Sequence, residues 1–292
     1  MKILSLLMLL ALGLLVGCSS NNGKSLRTET QLVSPEPTPS PTPDKPSPPK
    51  QIEKRWDTKF EFMTRSIKRS REGIRSYEIS VDYPEIKERT PQTLRFNRWI
   101  REKVLADTRR FKRLEQRAEA HDRKRKLEPA RITEGLEIWF DVYYADENLI
   151  SLRLTHSVMA LGQMHPIDYY ETINYDLQRG RILQQQELFK RGYLKVFSQY
   201  SRTFIRHTYD LTGTTDDWLD EGTKPRQTNF PNWNIVPDGV LVAFEDYQIG
   251  SHSFGQLELI VPYTELKGVL RPNRFIREFG PDPKKNVDSN KL

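Results

Sequence analysis

The 292-residue sequence predicts an α+β fold, an antiparallel β-meander packed against one long basic helix and one shorter helix. Runs of strand length alternate apolar and polar side chains, two longer segments carry apolar residues at helical spacing, and the two patterns are grouped along the chain. Tyr77 to Tyr83 reads as a half-buried strand. Pro91 then opens a helix, at a position where its missing amide costs nothing, and Ile100, Val104, Phe111, Leu114 and Ala118 recur as its apolar stripe. Period two returns from Leu136 to Tyr144 and from Leu149 to Val158, with a turn at Ala145-Asp146-Glu147-Asn148. A third run, Asp168 to Leu177, ends at the turn Gln178-Arg179-Gly180-Arg181. Glu187 to Tyr209 is the second helix, with Leu188, Tyr193, Val196, Phe197, Tyr200, Phe204 and Ile205 facing inward and Gly192 interrupting its start. Strands around Trp233 to Ile235, Val240 to Phe244 and Leu257 to Val261 close the fold. Asp238-Gly239 is a hairpin turn that exploits the backbone freedom of glycine, and Pro262 ends the last strand.

The N-terminus predicts an address outside the cytoplasm. Residues 3–16 are uncharged and leucine-rich, and small residues gather around Cys18, which closes the run Leu15-Val16-Gly17-Cys18. Such a stretch makes a helix of about 21 Å, short of the roughly 30 Å hydrocarbon core, so it suits a signal better than a permanent span. It is similar to a bacterial lipoprotein signal whose cysteine is acylated with palmitate-type chains. Cys18 is the only cysteine, so acylation leaves no thiol for a disulfide, a metal cluster or thiolate catalysis. Ser19 after it resembles an outer-membrane sorting signal. Eight of the fifteen residues from Pro35 to Pro49 are proline, which fixes φ and removes donors, so this stretch is a polyproline-II tether of roughly 45 Å.

Charge is concentrated in one segment. The chain carries 46 Lys and Arg against 39 Asp and Glu, yet residues 95–126 alone hold thirteen basic and five acidic side chains, a net of +8. Arg109, Arg110, Lys112 and Arg113 are its central cluster. Such a stripe suits phosphates, but no base-reading motif accompanies it, and the expected compartment argues for an anionic envelope polymer or lipid surface and against nucleic acid. The alternative is a solvated face on which Glu102, Asp107, Glu115 and Glu119 pair with neighbouring bases.

Signatures of chemistry are few. The sequence has no G-x-S-x-G, H-E-x-x-H, phosphate-binding glycine loop or C-x-x-C. The five histidines, at 121, 156, 165, 207 and 252, match no metal-ligand spacing, and no metal or cofactor is expected. His165 and His252 are the pair that one end of the sheet could bring together, with Asp168 or Glu245 as the nearby carboxylate. Trp218, Phe230 and Trp233 flank the longest polar loop and are candidate surface binding residues, with core packing as the alternative.

The C-terminal half resembles a known family. In order, Gly162-Gln163-Met164-His165-Pro166, Asn174 to Gly180, Glu187-Leu188-Phe189, Pro237-Asp238-Gly239-Val240, Tyr247 to Gly255 and Ile260 to Leu266 are similar to the C-terminal domain of the RsiV anti-sigma factors. The resemblance covers roughly residues 150–270. It implies an extracellular sensing domain of the type that recognises lysozyme, and a similar domain accompanies a peptidoglycan deacetylase and many envelope lipoproteins. Ser251-His252-Ser253 and Gln163-Met164 depart from the family pattern in the loops where specificity would lie. Neither sigma-factor binding nor deacetylation is carried over.

The expected organisation is a signal peptide over 1–17, an anchor and linker over 18–55, an N-terminal α+β subdomain over 56–149, the RsiV-like domain over 150–270 and a polar tail over 271–292. The expected function is a non-enzymatic binding or sensing module, attached to a membrane through lipidated Cys18, for a wall, envelope or host macromolecule. Its expected place is the outer membrane in a Gram-negative cell, otherwise the outer face of the cell membrane. The alternatives are a wall-modifying, metal-dependent hydrolase or deacetylase built on His165 and His252, and a purely structural envelope tether.

Overall fold

Nine strands form two sheets between two helices in a computed structural model that describes residues 58–73, 75–125, 134–161 and 163–276. Cys18, the signal and the proline-rich tether lie outside the described residues. Strands β1 (Phe62–Arg71), β2 (Tyr77–Ile86), β3 (Glu134–Ala145), β4 (Leu149–Met159), β5 (Ile167–Asp176) and β6 (Arg181–Ile182) lie side by side in that order. β3, β4 and β5 are the expected antiparallel meander. β2 and β3 pair in parallel, with Tyr77 opposite Glu134 and Val81 opposite Ile138. A parallel pair needs a crossover, and the long helix α1 (Pro91–Lys124) supplies it.

α1 starts where the sequence places it. Thr90 and Thr93 cap it reciprocally, Thr93 N donating to Thr90 Oγ1 at 3.2 Å and Thr90 N to Thr93 Oγ1 at 2.9 Å, with Pro91 in the first turn. Its inward line is Phe96, Ile100, Val104, Thr108 and Phe111, packed on Ile79, Val81, Ile138, Leu152 and Leu154 of the sheet. The line then continues as Glu115, Glu119 and Asp122, which corrects the expected apolar stripe: Leu114 is exposed and Ala118 half-buried. Arg75 and Arg71 meet those acids, so the end of the helix is held by charge.

The second sheet, β7 (Trp233–Val236), β8 (Gly239–Phe244) and β9 (Leu257–Pro262), lies on the other face of the first. All six residues of β8 are buried, as both faces of a covered strand must be. Asn174 and Asn234 join the two sheets. Asn174 Nδ2 donates to Trp233 O at 2.9 Å, its Oδ1 accepts from Ile235 N at 2.9 Å, and Asn234 Nδ2 donates to Ser151 Oγ at 3.0 Å. Arg153 adds ion pairs to Asp141 at 3.0 Å and Glu258 at 2.8 Å.

The expected second helix is divided into α2 (Gln185–Leu188) and α3 (Tyr193–Thr208). Gly192, with φ at 100°, makes the break, a conformation that costs a Cβ-bearing residue about 1 kcal/mol or more. α3 covers the far side of the second sheet through Phe197 and Ile205, with the short helices α4 (Asp216–Gly222) and α5 (Tyr263–Leu266) beside it. Gly239 is required for a reason other than the expected one: its φ is not positive, but an added Cβ would lie 2.2 Å from Val261 O. The division expected at 149/150 falls at the start of β4, inside one sheet. Residues 270–276 pack back on the body, with Leu270 bridged to Phe189 and Phe275 buried.

Candidate functional site

Opposite the inward line, α1 presents Arg98, Arg109, Arg113 and Arg117 to solvent, spanning about 28 Å at 1.5 Å per residue. Arg109 has one acidic neighbour, Glu102 at 4.0 Å. Arg98, Arg113 and Arg117 have no ion pair among the described residues, and neither do Arg110 and Lys112, which lie half-buried on the flanks. Of the acids in the basic run, only Glu102 points outward; Asp107, Glu115, Glu119 and Asp122 turn toward the sheet or its end. The uncompensated charge is therefore on the surface.

The inward acids have partners. Arg75, largely buried, reaches Asp122 at 2.6 Å and Glu134 at 2.5 Å, with Glu115 at 3.6 Å. Glu119 pairs with Arg71 at 2.6 Å and Arg123 at 2.8 Å. Burial, reinforced by the hydrogen bond and negative charge of Glu134 and opposed by Arg75, raises the Glu115 carboxyl to about 8. About three turns earlier on α1, Lys103 lies 2.6 Å from both Asp107 and Glu171, beside the buried His156. Neither cluster is visible in the sequence, whose solvated-face alternative includes Asp107, Glu115 and Glu119. The usable signal was position: Glu115, Glu119 and Asp122 continue the three- and four-residue steps of the apolar line.

His165 and His252 do meet. Their rings stack at 4.5 Å and 11°, and Tyr247 also stacks on His252 at 5.7 Å. His252 Nδ1 lies 2.5 Å from Asp246 Oδ2, His165 Nδ1 lies 2.9 Å from Pro166 O, and Trp218 Nε1 donates to Tyr247 O at 3.1 Å. Stacked parallel rings aim their in-plane lone pairs side by side, a poor arrangement for chelating one ion. Of the carboxylates expected nearby, Glu245 is engaged by Tyr170 N and Asn232 Nδ2, and burial raises its pKa. Among the described residues, three ligand-type side chains of one possible metal set converge at Asp107, His156 and Glu171.

Trp218 is partly exposed at 37%, as the surface reading requires. Phe230 and Trp233 are not surface residues. Phe230 is fully buried between Phe197 and Phe244, and Trp233, 6% exposed, packs edge-on against Phe189. The polar loop before them ends by inserting Phe230 into the core, because β7 begins three residues later on the covered face of α3. A shallow concavity of about 800 Å³ on the open face of β1–β3 is lined by Lys68, Ser70, Glu78, Ser80 and Glu137 and carries no histidine. Among the described residues no helix is long and apolar enough to cross a membrane.

Residues 186–264 match the family described as "Protein of unknown function (DUF3298)", so the chain carries a DUF3298 domain. It is 26% identical over 113 residues to the peptidoglycan-N-acetylmuramic acid deacetylase PdaC of Bacillus subtilis, a match covering 38% of this chain and 24% of that enzyme. The match thus spans about a quarter of the relative's length. A DUF3298-family protein of Bacteroides fragilis shares the fold at a TM-score of 0.56 and 17% identity, over 76% of this chain and 97% of its own. A DUF3298-family protein of Pseudomonas aeruginosa aligns at a TM-score of 0.49 and 16% identity, over 73% of this chain and 95% of its own.

Proposed function

We propose that this protein is a lipid-anchored module of the bacterial envelope that binds its ligand without transforming it, and that the ligand of α1 is an anionic wall polymer. The outward line of Arg98, Arg109, Arg113 and Arg117 carries this reading, because three of those guanidinium groups have no acidic partner among the described residues. Unpaired cations fixed on one rigid helix concentrate polyanions without ordering a flexible loop. The sequence similarity to a peptidoglycan deacetylase agrees with a cell-wall setting, and acylated Cys18 would supply the membrane attachment.

The test is cosedimentation of the full-length protein in detergent with purified walls, wild type against R109E/R110E/K112E/R113E. Wild type is expected to pellet with walls carrying anionic polymer and the variant to remain in the supernatant. Equal pelleting of both proteins would refute the assignment.

A second reading keeps the RsiV resemblance, with a protein ligand such as lysozyme docking on the loops. The observation in its favour is that Tyr247, His252 and His165 form one exposed stack. Direct titration with lysozyme of wild type and Y247A checks it. Binding lost in the variant would support this partner; no binding by wild type would exclude it.

A further inference from the structure

The middle of α1 meets β4 and β5 at a group of side chains separate from the outward line and from Arg75. Lys103 Nζ sits between Asp107 and Glu171, 2.6 Å from a carboxylate oxygen of each. His156, 1% exposed, faces the same point from β4, with Nε2 3.3 Å from Glu171 Oε2 and its ring stacked on Tyr169 at 4.6 Å. Among the described residues Nδ1 has no hydrogen-bond partner, and the Nε2 contact to Glu171 is poorly aligned for one. A buried imidazole left so incompletely satisfied is costly, since its nitrogens have given up water.

We propose that Asp107, His156 and Glu171 form a binding site for a divalent transition-metal ion, and that the Lys103 ammonium stands in for that cation when the metal is absent. The ligand atoms of the three side chains lie within 4.8 Å of one another. Ligands about 2.1 Å from a common ion are at most about 4.2 Å apart, so closing the set needs only small side-chain adjustments. One imidazole and two carboxylates match the preference of zinc and its neighbours, and three protein ligands leave a fourth position for water.

The charges agree with the geometry. Two carboxylates face one ammonium, which leaves a negative charge that a divalent ion with a neutral imidazole would balance. Lys103 can withdraw because its stem is flexible and its side chain already reaches solvent, at 24% exposure. The three ligands come from α1, β4 and β5, so an ion would fasten the crossover helix to the meander at mid-length.

Calorimetric titration of the full-length protein in detergent with zinc chloride, paired with the visible absorption of bound cobalt, tests the proposal. Wild type is expected to take up one ion per chain. K103M removes the competing ammonium and should tighten binding about tenfold or more. H156Q should weaken it about a hundredfold and abolish the cobalt bands of a nitrogen ligand. The double variant H165A/H252A should bind as wild type does. Failure of both wild type and K103M to bind zinc would overturn the site and leave a plain ion-pair cluster. Undiminished binding by folded H156Q, or loss of binding in H165A/H252A, would overturn it as well.

Discussion

The inward and outward lines of α1 are both rich in charge, yet they do opposite things with it. On the inward line, apolar side chains from Phe96 to Phe111 give way to Glu115, Glu119 and Asp122, and these acids end against Arg75 and Arg71. On the outward line, Arg98, Arg113 and Arg117 face solvent without an acid among the described residues. A charge removed from water must bring its partner, because desolvation is expensive; a charge left in water need not. The inward charges therefore hold the fold, and the outward ones are available to a ligand.

Substitutions can break that contrast, beginning with the greatest effect. F96A removes a fully buried ring that packs against Trp99 and Tyr175 and should cost about 3–5 kcal/mol in urea melts. R75M keeps bulk but strands Asp122 and Glu134, and should cost about 2–4 kcal/mol. E115Q tests the pH sense of the same cluster. The folded Glu115 carboxyl titrates at about 8 against 4.5 unfolded, so the folded state binds more protons between those values. This contribution is complete below the unfolded value and is lost as pH rises through the folded one. Wild-type stability should thus fall from pH 5 to pH 8, and E115Q should exceed it at pH 8 by about 1–3 kcal/mol with little difference at pH 5. L114S, on an exposed position, should change stability by about 0.5 kcal/mol or less in the same melts.

Leu114 also shows what the sequence could and could not convey. Strand and helix periods placed β2, the meander, α1 and β7–β9 within a few residues, because burial on one face leaves a pattern. Ala118 and Leu114 misled because hydrophobicity alone chose them over Glu115 and Glu119, whose burial depends on Arg75 and Arg71, 40 and 48 residues away. β1 was illegible for a related reason: Arg65, Lys68, Arg69 and Arg71 protect a sheet edge and erase the alternation. The parallel pairing of β2 with β3 is a tertiary choice with no local mark.

The candidate sites divided in the same way. The basic run was legible as a charge excess, and its outward members remain on the surface. His165 and His252, the pair that one sheet end could bring together, stack ring on ring. Phe230 and Trp233 were misplaced because an aromatic after a polar loop looks the same in sequence whether it points out or in. His156 had no signal at all, since its partners come from two other elements.

The most direct measurement of the central claim is the ionic-strength dependence of binding between the full-length protein in detergent and a purified anionic wall polymer. Screening shortens the reach of exposed charge from about 10 Å at 0.1 M salt to about 3 Å at 1 M, while buried pairs are affected far less. The outward line of α1 predicts that affinity falls steeply across this range while the urea midpoint of the protein barely moves. An affinity that stays level as salt rises would contradict the claim.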